Sequence, residues 1–140
     1  MIAAAPIRER LLEIDANARL LAELRATPLE AFAREPKIHK LAERCFQVAI
    51  ECMIDVADHL IAEHGWPRPE SARDALLTLG TQGVLPVRFA ERIAPMAGLR
   101  NLLVHGYLVL DRRQLHGHLS RVEDFSEFIR HIERYLAASA

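Results

Sequence analysis

The sequence predicts an all-α protein, an up-down helical bundle formed by a single domain over residues 1–140. Three observations carry that expectation. Apolar residues recur at three-to-four spacing over long stretches. Glycine and proline fall between those stretches. No run alternates with the period of two that a strand requires. No repeat, low-complexity tract or interdomain linker interrupts the chain, and its length suits one core.

The first helix is expected from about Pro6 to Ala26, with Ile7, Leu11, Ile14, Ala18, Leu21 and Leu24 as its buried stripe. Thr27-Pro28 reads as a stop and restart, Thr27 as N-cap and Pro28 at the first helical position, with a short helix to about Ala33. Pro36 opens the longest helix, which should end at His64 with Gly65 as its stop. After the loop Trp66-Pro67-Arg68-Pro69, a helix should start near Ser71 and stop between Gly80 and Gly83. Pro86 starts another, to Ala94, and Pro95 either kinks it or begins a new one. The last helix is expected from Asp111, an N-cap, to about Ala137, burying Leu115, Leu119, Val122, Phe125, Ile129, Ile132 and Leu136.

Composition narrows the function. Hydrophobic residues make up 51% and charged residues 26%, a globular balance, and the formal net charge is −1, so any polyanion site must be local. No segment reaches 18 uncharged apolar residues, and the start lacks the features of a secretory signal, so a cytoplasmic protein without a membrane span is the expectation. Cys45 and Cys52 lie two helical turns apart, roughly 10.5 Å along the axis. That is too far for a disulfide with each other, and they read as core thiols. There is no P-loop, no Gly-x-Gly-x-x-Gly, no Gly-x-Ser-x-Gly and no Glu-x-x-His or His-Glu-x-x-His metal pattern; His116 and His118 alone make a poor metal site, and no cofactor is expected.

Two polar constellations stand out. In the long helix, Gln47, Glu51, Asp55 and His59 follow at successive i, i+4 steps. They are either a solvated face or a line facing a polar cleft or partner subunit, where Glu51 or Asp55 could orient a catalytic group. The second is RNLLVHGY, residues 100–107. At about 100° per residue Asn101 and His105 share one face, while Arg100 and His105 stand about 140° apart. Arg100 and Tyr107 are nearly in line if the helix survives Gly106. A site using both Arg100 and His105 therefore needs a local distortion or a second copy of the chain across a two-fold axis, with Gly98 and Gly106 allowing close approach.

On their own these residues admit two readings: a satisfied core histidine on an apolar helix, which is the commoner case, or sufficient parts for metal-free RNA cleavage. A histidine takes and gives a proton near neutral pH. An arginine holds phosphate in a fork and stabilises its developing charge. Asn101 can fix the histidine ring. Arg112, Arg113 and Arg121 add a local basic patch for RNA, with Asp111 the only acid between residues 100 and 121.

Arg100-x4-His105-x-Tyr107, together with the Gln47-x3-Glu51-x3-Asp55 line, the proline-containing segment before the motif and the amphipathic last helix, resembles the HEPN-domain proteins of the HepT toxin type. The resemblance is clearest over residues 37–136. It implies an all-helical homodimer with both motifs lining an interface cleft. It implies a metal-independent endoribonuclease, the toxin of a toxin–antitoxin pair (type II/VII), partnered by a minimal nucleotidyltransferase antitoxin. Carried over, Arg100 and His105 are catalytic, Asn101 is the supporting polar residue and Tyr107 accepts AMP from the antitoxin, which blocks the toxin. Glu51 is a further supporting candidate. The N-terminal segment, residues 1–35, departs in length from the pattern and is expected to add a helix to the dimer interface. The alternative reading is a non-catalytic helical module that docks with, or presents substrate to, a nucleotidyltransferase.

Overall fold

The computed structural model describes residues 2–106 and 110–139. Among these the fold is all-α, with elements α1 (Ala4–Leu24), α2 (Leu29–Arg34), α3 (Pro36–His64), α4 (Ala72–Thr81), α5 (Val87–Ile93), α6 (Met96–His105), α7 (Arg112–His118), a 3₁₀ turn (Leu119–Arg121) and α8 (Glu123–Ala138). The long helix α3 is the central post: α1, α2, α4, α6 and α7 all pack on it, and α8 closes the core against α1.

Chain-level signals explain most boundaries. Pro36 sits in the first turn of α3, where its missing N–H costs no intrahelical bond. Gly65 ends α3 in the left-handed region at φ 66°, which a side chain would resist. Ser71 caps α4 by accepting from the Asp74 N–H at 3.0 Å. Asp111 caps α7 by accepting from the Arg113 N–H at 2.8 Å. Pro95 begins a new helix rather than kinking the previous one.

Three expectations are corrected. Pro28, not Thr27, precedes α2 as its cap, with ψ 150°; its carbonyl accepts from the Phe32 N–H at 2.9 Å, the first intrahelical bond. The last helix is two, because the 3₁₀ turn at Leu119–Arg121 tightens the winding there. That change of pitch rotates the stripe, so Phe128 is fully buried and Ile129 only half-buried. The apolar stripe expected on α1 is buried as the spacing requires: Ile7, Leu11, Ile14 and Leu21 are at most 3% exposed, with α1 packed against α3 and α8.

Polar ties fasten the helices at their ends. Arg25 forks onto both oxygens of Glu123 at 2.6 and 2.8 Å, joining the end of α1 to the start of α8. Arg92 reaches Asp124 at 3.1 Å and Glu127 at 2.8 Å, clasping α5 to α8. His116 bonds the Thr27 carbonyl at 2.8 Å and meets the Phe32 ring edge-on, holding α7 on α2. Gly80 lets α4 and α5 touch: a Cβ there would stand 2.8 Å from the Ala90 Cβ.

Candidate active site

Helix α6 presents the motif. Ala97, Leu99 and Leu103 anchor it in the core, which turns Asn101 and His105 outward and leaves Arg100 half-buried beside α3. The helix ends at His105, and Gly106 caps it at φ −116°. Tyr107 itself lies outside the described residues. No hydrogen bond joins Arg100 to His105 within the chain, as their angular separation demands. Arg100 Nε instead donates to Asn101 Oδ1 at 3.1 Å. Asn101 thus orients the arginine, and not the histidine ring.

Arg100 forms one wall of a cleft of about 660 Å³ between α3, the loop after it and the start of α4. Asp55, Asp58, Trp66, Arg68 and Glu70 line the same cleft. Burial, reinforced by the neighbouring Asp55 charge, pushes the Asp58 carboxyl above the usual carboxylate range, while Arg100 opposes the rise. Asp58 is the acidic neighbour that sequence reasoning missed. It falls off the Gln47-Glu51-Asp55-His59 line, three residues after Asp55, and only the docking of α6 brings Arg100 to it.

The polar line itself divides into three local pairs. Gln47 Nε2 donates to Glu51 Oε1 at 3.3 Å, Asp55 pairs with Arg10 of α1 at 3.5 Å, and His59 Nε2 lies 3.4 Å from Glu63 Oε1 without a hydrogen bond. Glu51 is half-buried and does not line the Arg100 cleft. The expected basic patch is also dispersed. Arg112 donates to the Ala33 carbonyl at 3.0 Å and borders a cavity with His39 and Lys40. Arg121 donates to Asp124 at 3.4 Å and borders a smaller apolar pocket with Phe46. Arg113 is exposed on α7. Among the described residues no three His, Cys, Asp or Glu side chains converge to hold a metal ion, and no helix is long and apolar enough to cross a membrane.

Comparison with known proteins fits this geometry. A family model described as ribonuclease HepT-like matches residues 14–132. The tRNA nuclease HepT of Aphanizomenon flos-aquae is 31% identical over 97 residues, covering 69% of this chain and 66% of that protein. The mRNA nuclease HepT of Shewanella oneidensis is 31% identical over 84 residues, covering 59% of this chain and 63% of that one. The matched region therefore spans just under two thirds of each relative's own length. Two solved structures share the fold. The tri-AMPylated Shewanella oneidensis HEPN toxin, in complex with MNT antitoxin, superposes with a TM-score of 0.83 at 22% identity over 93% of this chain and 98% of that one. YutE of Bacillus subtilis, described as a cytosolic protein of unknown function, gives 0.86 at 19% identity over 99% and 93%. With the family model covering most of the chain and the motif helix exposed as described, this protein belongs to the ribonuclease HepT-like family.

Proposed function

We propose that the chain is a metal-independent endoribonuclease, the toxin of a toxin–antitoxin pair. It acts as a homodimer and is neutralised when a minimal nucleotidyltransferase transfers AMP to Tyr107. The observation that carries this reading is the family match over residues 14–132, which contains the whole Arg100–Tyr107 motif.

The chemistry follows from the side chains. The RNA 2′-oxygen attacks the adjacent phosphorus as His105 takes its proton, and the P–O5′ bond breaks as a second histidine protonates the leaving oxygen. The products are a 2′,3′-cyclic phosphate and a 5′-hydroxyl. One chain supplies a single motif histidine, so the second comes from the other copy across the two-fold axis. Arg100, steered by Asn101, holds the phosphate and stabilises its charge in the transition state.

Gly98 supports the close approach of that second copy. A Cβ at Gly98 would meet nothing within 4 Å among the described residues, so none of them requires glycine there. A glycine within a helix costs about 1 kcal/mol relative to alanine. An exposed helix face that keeps such a residue suits contact with another backbone. AMP on Tyr107 would add bulk and negative charge to the motif and repel the RNA phosphate.

The test is expression of the chain alone and with a neighbouring nucleotidyltransferase, read by growth, RNA integrity and intact mass. Toxicity with RNA cleavage, relieved by the partner with an AMP-sized mass gain on Tyr107, is the expected result. His105→Ala is expected to lose cleavage by about 10²-fold or more while keeping fold and dimer. Equal cleavage by wild type and His105→Ala would remove His105 from the mechanism. A non-toxic chain that still binds the nucleotidyltransferase would instead be a docking module.

A further inference from the structure

The cleft beside Arg100 has more in it than a phosphate site needs. Its 660 Å³ falls within the usual range of about 300–1,000 Å³ for small-ligand pockets. Its walls include one aromatic ring, Trp66, two guanidiniums, Arg68 and Arg100, and three carboxylates, Asp55, Asp58 and Glu70. Asp55 is engaged by Arg10 of α1, which leaves Asp58 and Glu70 as the acceptors facing the cavity.

The aromatic wall is held in place. The Trp66 ring stacks on His64 at 4.2 Å and 13°, and His64 Nε2 in turn hydrogen-bonds the Tyr135 hydroxyl at 2.7 Å. The Trp66 backbone N–H donates to the Ile61 carbonyl at 3.1 Å, fixing the chain where the ring is attached. Pro67 and Pro69 limit the loop beyond it, and the Glu70 N–H donates to Asp74 Oδ2 at 2.9 Å. A rigid ring costs little further ordering when a flat ligand stacks on it.

Carboxylates repel phosphate but accept from the exocyclic amines of nucleobases, as in acidic side-chain recognition of cytosine N4, whereas the one ring N–H of uracil's pairing edge is flanked by two carbonyl oxygens that repel a carboxylate. A mixed wall of this kind suits a base, with its phosphate held at the Arg100 edge. We infer that this cleft is a nucleobase subsite: it takes the base next to the scissile phosphate, stacks it on Trp66, and uses Asp58 and Glu70 to favour bases with an exocyclic amine over uracil. This rests on the endoribonuclease reading for its substrate, and goes beyond it in assigning a base preference to named residues outside the motif. The simpler role for Asp58, neutralising Arg100, predicts no base preference.

Trp66 is the only tryptophan in the chain, so its fluorescence reports on this cleft directly. The His105→Ala variant, which retains the cleft, is titrated with CMP, AMP, GMP and UMP. Saturable quenching by the first three, with UMP at least about 10-fold weaker, is expected from stacking plus the carboxylate contacts. No saturable quenching, or equal affinity for UMP, overturns the proposal. In parallel, cleavage sites in a random single-stranded RNA pool are mapped for wild type, Asp58→Asn and Trp66→Phe. Asp58→Asn is expected to raise cleavage next to uracil, because its amide donates to a uracil carbonyl, and Trp66→Phe is expected to keep the preference with weaker kcat/KM. An unchanged base distribution in Asp58→Asn also overturns the subsite. Base-selective quenching without cleavage by wild type would leave the subsite standing and remove the nuclease reading.

Discussion

Arg100 and Asn101 are bonded to each other, Nε to Oδ1 at 3.1 Å, although they are neighbours on a helix and their Cα–Cβ bonds diverge. The arginine bends round the helix to reach its successor. On the proposed mechanism, Asn101 would act on cleavage through the direction of Arg100. Asn101→Ala is expected to lower kcat/KM by about 3- to 30-fold, the scale of one hydrogen bond to a charged group. The pH profile should stay where it is. A shifted profile would instead place Asn101 on His105.

Glu123 offers a pH-dependent stability effect. The hydrogen bonds from Arg25 hold its carboxyl below the usual carboxylate range. A depressed folded value means the stabilisation is present above the unfolded pKa of about 4.3 and is lost as pH falls through the folded value. The pair is largely exposed, so the contribution stays under about 1 kcal/mol after solvent screening. Urea melts of Glu123→Gln and wild type are expected to differ at pH 7 and to converge at pH 2. A gap of the same size at both pH values would show that charge is not the cause.

Gly80→Ala tests the contact between α4 and α5. Helix propensity favours alanine, but the added methyl would stand 2.8 Å from the Ala90 Cβ, which has no rotamer to yield. Overpacking is expected to win, lowering unfolding free energy by about 1–3 kcal/mol. The double variant with Ala90→Gly should recover part of the loss. A stabilised single variant would mean the two helices separate freely.

Cys45 and Cys52 should be silent thiols. Burial raises both, and burial together with the nearby carboxylates Asp55, Glu13 and Glu51 pushes Cys52 up to about 11. At pH 8 Cys52 would be about 0.1% thiolate, so alkylation of the native protein is expected to be slow at both positions and complete only in denaturant. Rapid labelling of native Cys52 would contradict its burial against α3's neighbours.

Much of this architecture is legible in the sequence itself. Pro36 and Gly65 mark both ends of α3 because each acts locally, through a missing N–H and a left-handed cap. Asp111 and Ser71 were readable for the same reason. The misses were tertiary. The 3₁₀ turn at Leu119–Arg121 leaves the apolar stripe almost intact, so periodicity alone runs through it and picks Ile129 over Phe128. Asp58 has no sequence pattern linking it to Arg100; their meeting depends on how α6 lies on α3. The Gln47-to-His59 line was visible as spacing, but its partners Arg10 and Glu63 could be assigned only from packing.

The motif helix is fastened unevenly. At its start, Ile93 and Ala94 are fully buried and α5 is clasped to α8 through Arg92. At its end, Asn101, Leu102 and His105 are exposed, and Leu103 supplies the last buried contact before Gly106. Amide hydrogen exchange should accordingly run along α6 as a gradient, slow near Ala97 and fast toward His105. The two chemical groups of the motif then belong to different regimes of local unfolding. On the proposed mechanism, Arg100 would stand on the protected part and His105 on the part expected to exchange fast, so anything that orders the last turn, whether RNA or a second copy, would act first on the histidine.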